Sequence, residues 1–502
     1  MKGPMKHVDA YVQLFGILRD KDLFANGPTH KIDFSKTTPL RKAISKASLE
    51  LPGLYQDSYI SPLLRNLEQT KARCSQATIE TLSRAVLDHN HHNKERDVIP
   101  AIQGLLALIS NIYRSFLTPE FVTERPLPQP RVTIPSLVML RPRLNLGVEE
   151  FAPHILPAEE VERLCGAKVG VVCIPSNYRT QPALCWPALA HEIGGHDTLH
   201  AYDGLLWEIK YQDRQHFYKG PDPSGTEPEN KDQFLGLLWD YWTEEAASDV
   251  CAILNLGPAY AMGVAVYLAA LNERIRRYKE LGKEGQARRG QNPSLTSSWP
   301  PSSDVSEIRP HPTDILKFQV MIGAINALRG LGDQDKKRYT KQIEDIVSYT
   351  LEANGSDSRT ISISGWFQIK TGRWMHVEEG SFPIDRAEME DGARKVGELI
   401  ASAPFSRLNG NSLQALETWD SSDQTETDGI KKYLHDKTPH FAVGDDAQLM
   451  AASILALYEN PTPEFYDYIN ENLTQSLVSS FGDDPVWGKE SYHPIAGKGI
   501  GI

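Results

Sequence analysis

Leucine, isoleucine and valine return at intervals of three and four along most of this chain, the spacing that lines one face of a helix. From Pro39 to about Leu117 this pattern predicts a helical region. Leu63, Leu67, Thr70 and Cys74 recur at helical spacing, and Ile99 to Phe116 is an amphipathic run with Pro100 in its first turn, where the absent N–H is no loss. Thr118 to Pro135 carries five prolines and reads as an extended linker. The period then shortens: Val132–Leu140 and Val169–Ile174 are apolar and β-branched, predicting short buried strands. A helix over Gln181–Tyr202 follows, then a polar stretch, Gly204–Asp232, with Pro221, Pro223 and Pro228, which predicts a long loop over a cleft. Helices are expected at Phe234–Leu256 and Ala259–Glu280, the second ending in basic Arg274-Ile-Arg-Arg277.

One run inside this pair needs separate thought. Val250 to Leu271 contains no charged residue and is long enough to span a bilayer. Asn255, Gly257 and Pro258 interrupt it, so the expectation is two buried core helices. Gly282–Ser303 is rich in Gly, Ser, Pro and Gln and reads as a flexible segment. Beyond it a helix is expected at Ile315–Leu328. β structure is expected at Ser358–Ser364 and Trp366–Val377, the latter a hairpin turning at Lys370-Thr-Gly-Arg373. Further helices are expected at Asp385–Ala403, Asp445–Glu459 and Pro463–Phe481. The acidic Asp420–Asp428 reads as a surface loop, and the Gly-rich stretch from Asp483 to Ile502 as poorly ordered. The expected fold is mainly α (α+β) with a small β-sheet. Four regions are expected: a helical N-terminal part (1–125), a core (126–281), a linker (282–305) and a mostly helical C-terminal part (306–502).

Composition narrows the class. A chain of 502 residues with 40% apolar and 24% charged positions can bury a large core as a soluble protein of two or three lobes. A net charge of -12 argues against a general nucleic-acid binder and against an anionic membrane surface. Five cysteines without CxxC spacing read as free thiols in a reducing compartment. The opening residues Met1 to His7 lack the apolar run of a secretory signal, so a cytoplasmic location is expected.

The chemistry concentrates in two stretches. Pro187-Ala-Leu-Ala-His191-Glu192-Ile-Gly-Gly-His196-Asp-Thr-Leu-His200 places three histidines among acids, and Trp242-Thr-Glu244-Glu245-Ala-Ala-Ser-Asp249 follows on the next helix. Imidazole and carboxylate are zinc donors, and a catalytic site uses three protein ligands to leave a fourth position open. His191 and His196 are five apart, which turns them about 140° from each other on an ideal helix. A π-bulge at Gly194-Gly195, where glycine permits unusual backbone angles, would return both rings to one side.

His191-Glu192-Ile193-Gly194-Gly195-His196 resembles the H-E-x-x-G-H signature of the dipeptidyl-peptidase III family of zinc exopeptidases. The second stretch resembles that family's E-E-x-x-A-E/D helix and, more closely, the N-E-x-x-S-D helix of thermolysin-like (gluzincin) zinc peptidases. The likeness covers these two stretches and not the rest of the chain. It implies a helical zinc-peptidase-like core in which His191, His196 and Glu245 hold zinc and Glu192 is the general base. Asp249 and Glu244 would then accept from the outer nitrogens of the two histidines. His311, fixed between two prolines, could serve as the downstream histidine that stabilises the tetrahedral intermediate in thermolysin-like enzymes, although a cap on the helix that follows is the plainer reading of it. Tyr202, Tyr241 and Tyr260 are rivals for that part.

Other readings stay open. His196 and His200 have true i,i+4 spacing and could be the ligand pair. Asp88-His-Asn-His-His92 could be a metal cluster, although its polar flanks suggest a solvated loop. Neither a GxxxxGK[ST] loop nor a GxSxG elbow occurs. The expected function is a zinc-dependent hydrolase, a metallopeptidase first. The alternatives are a hydrolase or cyclase acting on a small non-peptide metabolite, and a non-catalytic protein whose structural zinc is closed by a fourth ligand such as His200.

Overall fold

The computed structural model describes residues 6–14, 33–68, 75–89, 98–117, 126–131, 134–141, 154–175, 181–221, 227–280, 308, 312–353, 359–361, 363–369, 373–378, 381–437 and 446–487. The fold is mainly α with small sheets. In chain order the helices are α1 (Thr37–Ala47), α2 (Ser61–Glu68), α3 (Gln76–Asp88), α4 (Val98–Leu117) and α5 (Ala158–Cys165). Next comes α6, built from Ala188–His191, Glu192–Asp197 and Thr198–Ala201, then α7 (Leu205–Phe217), α8 (Lys231–Leu256) and α9 (Pro258–Glu280). The C-terminal part adds α10 (Asp314–Ala327), α11 (Asp333–Ala353), α12 (Arg386–Ser402), α13 (Ser421–His435), α14 (Asp446–Glu459) and α15 (Pro463–Asp483).

The molecule is arranged around α8. Nearly every residue of this helix from Phe234 to Leu256 is buried, as expected of a helix that is apolar on all sides. Asn230 caps its start, accepting from the Gln233 N–H at 3.0 Å. Gly257, at φ +62°, ends it in a conformation that a side chain would resist. Helices α6, α7, α9, α10 and α12 all pack against it. The uncharged run from Val250 to Leu271 is thus the buried end of α8 joined to α9. Among the described residues no helix is long and apolar enough to cross a membrane. The buried apolar side chains form one cluster that runs from Val8 to Trp487.

A three-stranded sheet lies beside α6. Its strands are β1 (Leu137–Arg141), β2 (His154–Leu156) and β3 (Val171–Pro175), in the order β1-β3-β2. β3 is wholly buried at the centre, parallel to β1 with Leu137 opposite Val171 and antiparallel to β2 with Ile155 opposite Val172. β4 (Thr360–Ile361) pairs with β7 (Ile384–Asp385), and β5 (Gly365–Gln368) pairs with β6 (Trp374–Val377) as the expected hairpin.

Three expectations are corrected. The supposed loop Gly204–Asp232 contains α7, whose Leu205, Leu206 and Ile209 pack inward, and its last two residues already belong to α8. The acidic Asp420–Asp428 is the start of α13, nucleated by a capping box in which Asp420 and Asp423 serve each other's backbone N–H. Asp88 and His89 do not sit in a solvated loop. Asp88 is buried and accepts from the Leu140 N–H at 2.9 Å, and His89 stacks on Trp487. The proposed linker 282–305, residues 90–92 of the histidine-rich stretch, His311, the hairpin turn at 370–372 and residues 488–502 lie outside the described residues.

Candidate metal centre

Helix α6 begins as an α-helix at Ala188–His191, widens to a π-helix over Glu192–Asp197 and returns to α over Thr198–Ala201. The wide turn absorbs the extra residue between His191 and His196. Their rings lie 5.2 Å apart between centroids, inclined at 75°. The two glycines have a different task from the one expected of them, since neither adopts a positive φ. They make room. A Cβ on Gly195 would overlap the Cβ and Cα of Ser248 on α8, and one on Gly194 would stand 2.9 Å from the Phe116 ring. Gly195 therefore lets α6 and α8 touch, and that contact carries the acids of α8 up to the histidines.

The Nε2 atoms of His191 and His196 are 3.1 and 3.7 Å from a single oxygen, Glu245 Oε2. One donor atom from each of these residues falls within 4.8 Å of the other two. The outer nitrogens are already engaged: His191 Nδ1 with Asp249 Oδ1 at 2.9 Å, and His196 Nδ1 with Glu244 Oε1 at 3.3 Å. Three electron-pair donors around one point, with both imidazoles held from behind by carboxylates, are a donor set that fits zinc.

Glu192 lies on the turn between the two histidines. Its Oε2 accepts from the Ile155 N–H of edge strand β2 at 3.0 Å. Burial pushes its carboxyl above the usual range, and the neighbouring imidazoles pull it partly back. The histidine pKa values are raised too, but by their partners and against burial. Burial disfavours a charged His191, but Asp249 and Glu245 outweigh it and raise its pKa above the ordinary 6.5. Burial likewise opposes protonation of His196, while Glu244 and Glu245 carry it well above 6.5. A cation bound at this point would take the place of those protons.

A second layer of groups holds the two outer carboxylates. Asp249 Oδ1 also accepts from the Tyr260 hydroxyl at 2.8 Å, and its Oδ2 lies 3.1 Å from Lys317 Nζ on α10. Burial alone would raise the Asp249 pKa; Lys317 and His191 outweigh it and bring it down to about 2. Glu244 meets Lys210 of α7 through Oε2 at 3.4 Å and His200 Nε2 through Oε1 at 3.1 Å. Despite burial, His196, His200 and Lys210 hold the Glu244 carboxyl far below the usual range. His200 turns its other nitrogen to Glu159 at 2.8 Å and does not join the group of three, so the structure does not assemble the His196/His200 pair.

Asp197 anchors the π-helical turn. It is buried, accepts from the Tyr113 hydroxyl, from Ser136 Oγ at 2.8 Å and from the Ala158 N–H at 3.0 Å, and so ties α6 to α4, α5 and the residue before β1. The three tyrosines considered for the oxyanion all spend their hydroxyls elsewhere. Tyr202 donates to the Phe116 carbonyl, Tyr241 to the Ile308 carbonyl and Tyr260 to Asp249. Lys317, Lys210 and the Ile155 N–H carry no local sequence signal; Asp197, directly after His196, could have been read as an anchor. Comparison of the chain with protein-family models, curated proteins and solved structures gave no match.

Proposed function

We propose that the protein is a zinc-dependent hydrolase, acting first on peptides, with Glu192 as its general base. The observation that carries this reading is the convergence of His191 Nε2, His196 Nε2 and Glu245 Oε2, with Glu192 on the turn between the two histidines. Among the described residues that group holds three donors. Three protein ligands mark catalytic zinc, whereas structural zinc is closed by four. Bound there, zinc supplies Lewis acidity toward water and toward a substrate carbonyl.

The chain's own groups do the rest. Asp249 and Glu244 keep the proton of each imidazole on Nδ1, so that Nε2 is presented as a lone pair. The Ile155 N–H fixes one oxygen of Glu192. A carboxylate whose pKa is raised by burial is suited to take a proton from attacking water and return it to a leaving amine near neutral pH. For a peptide substrate, the support is the resemblance of the two motifs to zinc peptidases, with the edge strand β2 lying beside Glu192.

Metal analysis of the purified chain, followed by digestion of a peptide library with and without chelator, tests this. The expected result is one zinc per chain and cleavage that is lost on chelation and restored by zinc. Zinc without cleavage, together with turnover of a small amide or ester, would replace the peptide by a metabolite. A chain that takes up no metal would remove the reading.

A further inference from the structure

We infer that Lys317 and Lys210 are positioning residues for the metal group, each acting through the carboxylate that holds one imidazole; the inference rests on the metal reading above. The same order of groups is built twice, with the two lysines drawn from separate helices. On one side Lys317 Nζ stands 3.1 Å from Asp249 Oδ2, and Asp249 Oδ1 stands 2.9 Å from His191 Nδ1. On the other, Lys210 Nζ stands 3.4 Å from Glu244 Oε2, and Glu244 Oε1 stands 3.3 Å from His196 Nδ1. Each lysine takes the oxygen that the imidazole leaves. α10 supplies one lysine and α7 the other, and both meet acids of α8.

The physical need is specific. An imidazole offers Nε2 to a cation only while its Nδ1 carries the proton, and a carboxylate ion on Nδ1 enforces that tautomer. Four carboxylates (Glu192, Glu244, Glu245 and Asp249) crowd this part of the interior, and an ionised carboxylate out of water is costly without a paired cation. A lysine provides one compact charge that can sit on one oxygen, whereas an arginine fork would compete for both. The two arms differ in degree. The Lys317 and Asp249 side chains are 15% and 1% exposed, against 20% and 30% for Lys210 and Glu244, so Lys317 carries the larger effect.

The test is zinc affinity of the full chain, measured by competition with a chromophoric chelator, alongside thermal unfolding of the metal-free protein. Lys317→Met is expected to weaken zinc about tenfold and Lys210→Met about threefold, below or at the lower end of the range for outer-sphere partners. In an Asp249→Asn background, Lys317→Met is expected to cost nothing further, because its route to the metal is gone. Unchanged zinc affinity in Lys317→Met with a lowered melting temperature would make the lysine a structural ion pair and overturn the inference. Equal losses from Lys317→Met with and without Asp249→Asn would overturn it as well. Lys210→Met, on the more exposed arm, decides the same question if Lys317→Met does not fold. A wild-type chain that binds no zinc removes the metal reading itself, an outcome distinct from wild-type binding with indifferent lysine variants.

Discussion

The two histidines of the candidate centre stand in unlike surroundings. His191 faces inward: Asp249 behind it is almost wholly buried and is held at once by the ring, the Tyr260 hydroxyl and Lys317. His196 faces outward: Glu244 behind it is shared with His200 and Lys210, and the line of contacts continues to Glu159 near the surface. Screening by water weakens the second set more than the first. One imidazole is therefore fixed by the interior, while the other is set by groups that solvent can reach.

The largest effect is expected between the two arms. Glu192→Gln should keep zinc and lose about 10²–10⁴-fold in turnover; full turnover in single-cycle assays would separate both arms from any reaction. Next, Asp249→Asn should lower zinc affinity by about 10–100-fold, and Glu244→Gln should fall nearer the bottom of that range. Equal losses in a chelator competition would erase the difference between inner and outer arms. Gly195→Ala disturbs both arms together by forcing α6 off Ser248, and should cost about 1–3 kcal/mol in chemical denaturation. A wild-type denaturation curve would show that the contact has slack.

The smallest and most graded effect is in pH. An imidazole binds a cation only in its neutral form, and both rings have pKa values raised above 6.5 in the folded, metal-free chain, His196 the more strongly. Proton competition should therefore weaken zinc already above pH 6.5 as acid is added, with His196 released first. In the metal-free protein the sign for stability is the reverse. Protonated histidines stabilise it fully below their unfolded pKa, and this support fades as pH rises through the folded values. Zinc titrations and melts across that range check both statements; flat affinity would sink the first.

Much of this candidate centre is legible in the sequence because its three converging side chains and the outer carboxylates occupy two contiguous stretches, where spacing along a helix reports facing. The five-residue interval even announces an irregular turn, which appears as the π-helical Glu192–Asp197. Lys317 and Tyr260 are not legible as partners of Asp249, since only tertiary packing brings α9 and α10 to α8. The glycine pair suggests backbone freedom, whereas the helix crossing needs the missing side chains. Helix α7 is hidden by the prolines that follow it, although Leu205, Leu206 and Ile209 already hold a helical spacing. For α13 the low apolarity misleads, while the Asp420–Asp423 box is present in the sequence. β2, with three residues, is too short for any periodicity to register.

With nothing but hydrogen on Gly195 between them, α6 and α8 have no cushion at their point of contact. How far the imidazoles stand from Glu245 is accordingly a property of two main chains, and rotamers can adjust it only slightly. A cation that wants a wider cage and more oxygens could not be accommodated by exchanging one ligand. The chain would have to rebuild the crossing, so any change in the size of this cage is a change of architecture.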